Sequence, residues 1–201
     1  MDIRDLTPAR WDDFASLCRR MGGNKGCWCM WWREERGAER TRPRRTSARE
    51  LVDDGPPPGV LAYVDGEPVG WAAVAPREAY PRLNTARDTP PPEGTDMAAT
   101  WLVSCFFVLE SHRGTGVSRA LLDGAVDLAR RHGARAVEGV PIDREVVTRT
   151  PGGSFTGSLP MFTAAGFAEV ARPKPKGRVT VRRTLQRPRQ SPRPNPAGGF
   201  R

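Results

Sequence analysis

An apolar run, Trp101 to Val108, is too short to span a membrane and rich in aromatic and β-branched residues, so it predicts a buried strand. A polar break follows at Glu110-Ser111-His112, then Arg113-Gly114-Thr115-Gly116. Beyond it Val117, Leu121 and Leu128, with the alanines at 120, 125 and 129, recur at spacings of three and four. That period predicts an amphipathic helix, and Gly133 ends it. Strand, glycine turn and helix form the centre of the chain.

The flanking pattern predicts further elements. Residues 1–6 read as an edge strand, and Thr7 as the cap of a helix from Pro8 to about Arg20 whose apolar face is Trp11, Phe14, Ala15 and Cys18. Residues 34–50 are mixed Arg and Glu with weak helical character; Ser47 is the expected cap of a short helix ending at Asp53-Asp54. Val60–Val64 and Pro68–Ala75 flank Asp65-Gly66, a tight hairpin turn. Residues 76–98 read as a long proline-rich loop carrying Tyr80. Residues 134–140 predict a fifth strand, 142–157 a loop, 158–165 a short helix, and 167–171 with 178–183 a closing hairpin. From Gln186 prolines and arginines alternate without apolar pattern, which predicts a disordered tail. The expected organisation is one α/β (α+β) domain over 1–185, with a tail over 186–201.

Charge changes this picture little. Of the net +9, ten positive residues and no acid fall in 171–201, which leaves residues 1–170 at −1. A basic nucleic-acid face on the domain is therefore not expected, and only the tail supports a nucleic-acid or partner-binding reading. No run reaches transmembrane length and the N-terminus lacks an apolar signal region, so a soluble cytoplasmic protein is expected. Arginine outnumbers lysine 29 to 3, which fits a GC-rich bacterial genome and carries no mechanism. Cys18, Cys27, Cys29 and Cys105 do not form a secreted disulfide framework and are expected as thiols.

Two stretches carry chemistry. A strand entering a helix through glycines is an anion site, because the first helical N–H groups lack partners and the helix dipole is positive there. Neither a Gly-Lys-Ser/Thr triphosphate loop nor a G-x-G-x-x-G dinucleotide loop is present. The second stretch, Met21–Arg33 (MGGNKGCWCMWWR), opens a tryptophan- and arginine-rich region, 21–57. Three readings of it stay open: core or helix packing at the sheet edge, an acceptor wall built from Trp28, Trp31 and Trp32, or a thiol metal site from Cys18, Cys27 and Cys29. Indole faces suit a wall because they hold cations at about 0.5–2 kcal/mol. The x-spacing is tighter than a zinc knuckle's and both histidines are distant, so no metal is expected.

Arg113-Gly114-Thr115-Gly116-Val117-Ser118 resembles the R/Q-x-x-G-x-G/A loop of the GNAT superfamily of N-acetyltransferases, with Ser118 where the family prefers Gly or Ala. Met161-Phe162-Thr163-Ala164-Ala165-Gly166-Phe167 is similar to the family's late helix ending in Gly-Phe. The resemblance covers roughly 58–183 and implies a GNAT fold, a mixed twisted sheet of six or seven strands flanked by helices. It implies that residues 113–118 cradle the pyrophosphate of coenzyme A and that backbone groups of Phe106, Phe107 and Val108 orient the pantetheine and thioester. The strands at 101–108 and 134–140 would splay to admit that arm, and Phe162 would lie near its sulfur. The implied function is acetyl transfer from acetyl-CoA to a primary amine of a small molecule, peptide or protein, with a homodimer left open. Many members carry a tyrosine, acting as acid, where this chain has Phe162. Glu110, Cys105 and Tyr80 are the candidates for acid or base. The missing tyrosine keeps open a second reading, a non-catalytic coenzyme-A-binding sensor or regulatory module.

Overall fold

The computed structural model describes residues 1–21, 26–37, 42–143 and 155–186. Seven strands form one sheet in the order β1-β2-β3-β4-β5-β7-β6. They are β1 (Asp2–Asp5), β2 (Gly59–Val64), β3 (Glu67–Pro76), β4 (Thr100–Val108), β5 (Ala136–Gly139), β6 (Ala168–Ala171) and β7 (Thr180–Thr184). Every neighbouring pair is antiparallel except β4 and β5. The expected mixed GNAT-type sheet is the one observed.

Helices cover both faces. Gly70 and Trp71 are consecutive on β3 and so point to opposite sides. The Gly70 side lies against Val117 and Leu121 of α4 (Val117–Arg131), and Trp71 meets Phe14 of α1 (Trp11–Arg19), ring centroids 4.7 Å apart. β4 is buried along its whole length, as its apolar run requires. Its register with β3 jumps from Val74↔Val103 to Ala73↔Cys105, so Ser104 is an extra, bulged residue. On its other edge β4 pairs with β5 only from Thr100 to Val103. Past that point the two strands part.

Several boundaries differ from expectation. Thr7 Oγ1 accepts no capping bond from the first turn: Pro8–Arg10 is a 3₁₀ turn, and Thr7 Oγ1 instead accepts from Arg10 Nη1 at 3.2 Å. The next helix, α2 (Arg44–Asp54), starts after Pro43, which places Ser47 inside it rather than at its cap. Proline supplies that start by fixing its own φ, without a side-chain bond. Residues 26–37 fold as turns, so the helical part of the 21–57 region is α2 alone among the described residues. The long loop is ordered by a 3₁₀ turn at Arg77–Ala79 and by α3 (Pro81–Asn84), and Tyr80 between them is fully buried. α5 (Leu159–Ala164) is the late helix. The tail after Gln186 and most of the 142–157 loop lie outside the described residues.

Candidate active site

The turn between β4 and α4 is built by its glycines. Gly114 and Gly116 have φ of 78° and 87°, the left-handed region that glycine enters without strain, and nothing lies within 4 Å of where a Cβ would stand on either. Gly116 is the N-cap of α4 and supplies no side-chain acceptor, so the first N–H groups of a fifteen-residue helix open outward. Thr115 Oγ1 donates to His112 O at 2.8 Å and tightens the turn. Arg113 Nε donates to Val108 O at 3.3 Å, which folds the exposed guanidinium back across the free edge of β4. Val117 faces the core, whereas Ser118, one residue on, faces a cavity.

That cavity holds about 850 Å³ and is lined by Phe106, Ser118, Asp143 and the segment from Gly157 through α5. It lies beside the gap where β4 and β5 part. Phe162 is not on its surface. The ring is fully buried, edge-on to Phe106 (6.1 Å) and Phe167 (5.0 Å). It occupies the place of a side chain on β5: a Cβ on Gly139 would stand 2.2 Å from the ring. Phe107 pairs with Trp71 and so faces the α1 layer, away from the cavity. The Phe106 N–H, which points into the gap, donates to Phe155 O at 2.5 Å.

A second cavity, about 620 Å³, lies on the other side of Ile142, which bridges to Ser158 on the first cavity and to Arg178 on the second. Trp31 and Trp32 meet there. Trp28 does not: it stacks on Trp11 (5.7 Å, 14°) and meets Phe14 edge-on, so it packs the insertion onto α1. The cavity's charged residues, Arg36, Arg82, Asp88, Lys176 and Arg178, carried no signal in the sequence. Arginine is common everywhere in this chain, and only the fold brings these distant positions together.

None of the three acid–base candidates lines either cavity. Glu110 is solvent-exposed in a 3₁₀ turn. Cys105 is buried on β4 with its thiol donating to Phe106 O at 3.9 Å, and the nearby Cys29 Sγ accepts Trp71 Nε1 at 3.1 Å. Interaction with the Cys29 sulfur, and burial after it, hold the Cys105 proton well above the ordinary thiol range, while Cys29, beside Cys105 and accepting from Trp71, is pulled below it. Tyr80 is fully buried with Arg33 stacked on its ring at 4.8 Å and donating to its hydroxyl at 3.4 Å. Burial raises the phenol, against the opposing pull of Arg33. Ser104, at the bulge, has a buried hydroxyl without a full hydrogen bond among the described residues. Glu138 of β5 is consumed by Arg77 and Arg182, a buried network holding the loop before β4 to the sheet. Among the described residues no cluster of His, Cys, Asp or Glu is placed to hold a metal, and no helix is long and apolar enough to cross a membrane.

The acetyltransferase (GNAT) family model matches residues 25–144. No curated protein matches the chain. Among solved structures, a GCN5-related N-acetyltransferase from Kribbella flavida is 20% identical, with 92% of this chain and 97% of that one covered at a TM-score of 0.53. A ribosomal-protein-alanine N-acetyltransferase from Brucella melitensis is 18% identical over 92% and 100%, TM-score 0.54. The GphF GNAT-like decarboxylase, in complex with isobutyryl-CoA, is 19% identical over 92% and 100%, TM-score 0.56. At these identities the three share the fold.

Proposed function

Since the chain belongs to the acetyltransferase (GNAT) family, whose chemistry is acyl transfer, we propose that it is an acetyl-CoA-dependent N-acetyltransferase acting on a primary amine. One observation carries this reading: the uncapped N-terminus of α4, entered through two left-handed glycines, opens beside a cavity large enough for a pantetheine arm. The residues fit the cosubstrate. The N–H groups of the 114–118 turn take the pyrophosphate, with Thr115 bracing the turn. When bound, the thioester supplies an acyl group already activated toward an amine.

The chain's own groups then orient and polarise. The Phe106 N–H is the donor aimed into the gap between β4 and β5, where a thioester carbonyl would develop charge, and Phe155 O must leave it first. Phe162 keeps this region apolar and offers no proton. Tyr80 and Cys105 hold theirs and face neither cavity, so water or the acceptor amine itself protonates the departing thiolate. The buried Phe162 and the engaged Phe106 N–H also favour the second reading, a coenzyme-A-binding module without turnover.

Ser118→Glu tests the cosubstrate site. A carboxylate in the first turn suits the helix dipole, so the fold should hold or gain slightly in melting temperature. The same charge opposes a pyrophosphate, and coenzyme A affinity measured by calorimetry should fall by about tenfold or more. Unchanged affinity in the folded variant would refute the assignment. Coenzyme A binding to the unaltered chain, with no transfer to any of a broad panel of amines, would select the non-catalytic reading.

A further inference from the structure

We propose that the acceptor is a small primary amine that also bears a carboxylate or phosphate, and that the tryptophan-walled second cavity holds it by that anion; this rests on the N-acetyltransferase reading. Arg36, Arg82, Lys176 and Arg178 converge on a cavity with one acid, Asp88. Some arginines elsewhere meet carboxylates at close range, as Arg44 does with Glu34 and Arg131 with Asp5. Among the described residues none of these four cations is in an ion pair. Arg82 is fixed by donating Nε and Nη2 to the carbonyls of Glu34 and Glu35, with its guanidinium 4.1 Å from the centre of the Trp31 ring. That leaves Nη1 for a ligand. Arg178 is half-buried, 5.8 Å from the Trp32 ring, and gives Nη1 only to the neutral Thr156 hydroxyl. A cation removed from water with no close carboxylate favours an anion strongly, and its planar donors suit carboxylate and phosphate oxygens. Burial pushes this guanidinium down in pKa, against the pull of Asp88, as expected of a site short of negative charge.

Geometry and chemistry agree on which part of the acceptor lies where. The cavity's size, about 620 Å³, is that of a small-molecule site. It adjoins the first cavity across Ile142, so a molecule anchored on the arginines can direct its amine toward the gap between β4 and β5. The positive lining would repel an ammonium and lower its pKa, which favours the free amine that must attack. This field does part of a general base's work, in a site where no base among the sequence candidates faces either cavity.

Matched amines decide the matter: phosphoethanolamine against ethanolamine, and β-alanine against β-alaninamide, with the diamine cadaverine as the cationic arm. Binding to the full chain is followed by tryptophan fluorescence, and acetyl transfer by thiol release. At least one anionic amine should bind, and react, about tenfold better than its neutral partner, the scale of one charge-assisted contact. The arm that wins separates phosphate from carboxylate. Arg36→Gln with Lys176→Gln, both at exposed positions, should cut that preference about fivefold or more and leave coenzyme A affinity unchanged. Equal binding of charged and neutral partners, preference for cadaverine, a preference that survives the double substitution, or no binding by any probe would overturn the proposal. Anion-selective binding without acetyl transfer would instead refute the transferase reading and leave the anion site standing.

Discussion

Cys18 shows how a single buried thiol sets a pH limit on the fold. Burial, and after it the neighbouring Cys29 and Cys27, raise its pKa, so the folded chain keeps this proton where an exposed thiol would lose it. Unfolded, the same thiol titrates near about 8.5. Below that pH both states hold the proton and the contribution to stability is complete. Above it only the unfolded state releases the proton, so stability should fall by about 1.4 kcal/mol per pH unit for each such thiol. Cys27 and Cys105 act in the same direction, and Cys29, held low by Cys105, acts against them. Urea midpoints taken between pH 7 and 10 should therefore decline from about pH 8.5. Cys18→Ala should cost about 1–2 kcal/mol at pH 7 and make the decline shallower. An unaltered slope would show that this thiol does not set it. Phe162 teaches a related lesson about legibility. Its departure from tyrosine is plain in the sequence, but its dependence on Gly139, 23 positions earlier, exists only once β5 and α5 meet.

At the level of elements, short-range signals were readable and long-range ones were not. The hairpin at Asp65-Gly66, the buried strand β4, the glycine turn and α4 each follow from neighbouring residues. The caps at Thr7 and Ser47 failed because Pro8 and Pro43 already start those segments, Pro43 four residues before Ser47. Residues 26–37 resisted reading because Trp28 and Cys29 take left-handed angles, φ 51° and 54°, that no local rule assigns to them. Stacking on Trp11 and an edge contact with Phe14 hold Trp28 there, and Trp71 holds Cys29. The tryptophans should separate accordingly. Trp28→Ala should cost about 2–3 kcal/mol, less than a fully buried indole. Trp31→Ala, at 44% exposure, should stay within about 0.5 kcal/mol and raise the acceptor KM. Equal losses of stability, with KM unmoved in both, would make the whole segment packing.

Across the whole molecule, the sheet's order places its one parallel pair at the centre and parts it halfway along, which creates space between two cavities without breaking the core. The basic end of the chain should be separable from that arrangement. Leu185 is the last buried residue described, its N–H on Arg135 O at 2.8 Å, so ending the chain after Gln186 keeps every described contact. Stability should change by less than about 0.5 kcal/mol. A larger drop in the urea midpoint would show that the tail packs on the domain. On the proposed reading, the bond from Phe106 to Phe155 bears on the affinity for a thioester. A thioester that seeks the Phe106 N–H has a rival in the chain's own carbonyl, and the two cannot hold one hydrogen together. Observed affinity is then the intrinsic affinity multiplied by the fraction of molecules in which residue 155 has let go. Anything that shifts that fraction tunes the enzyme without touching the ligand.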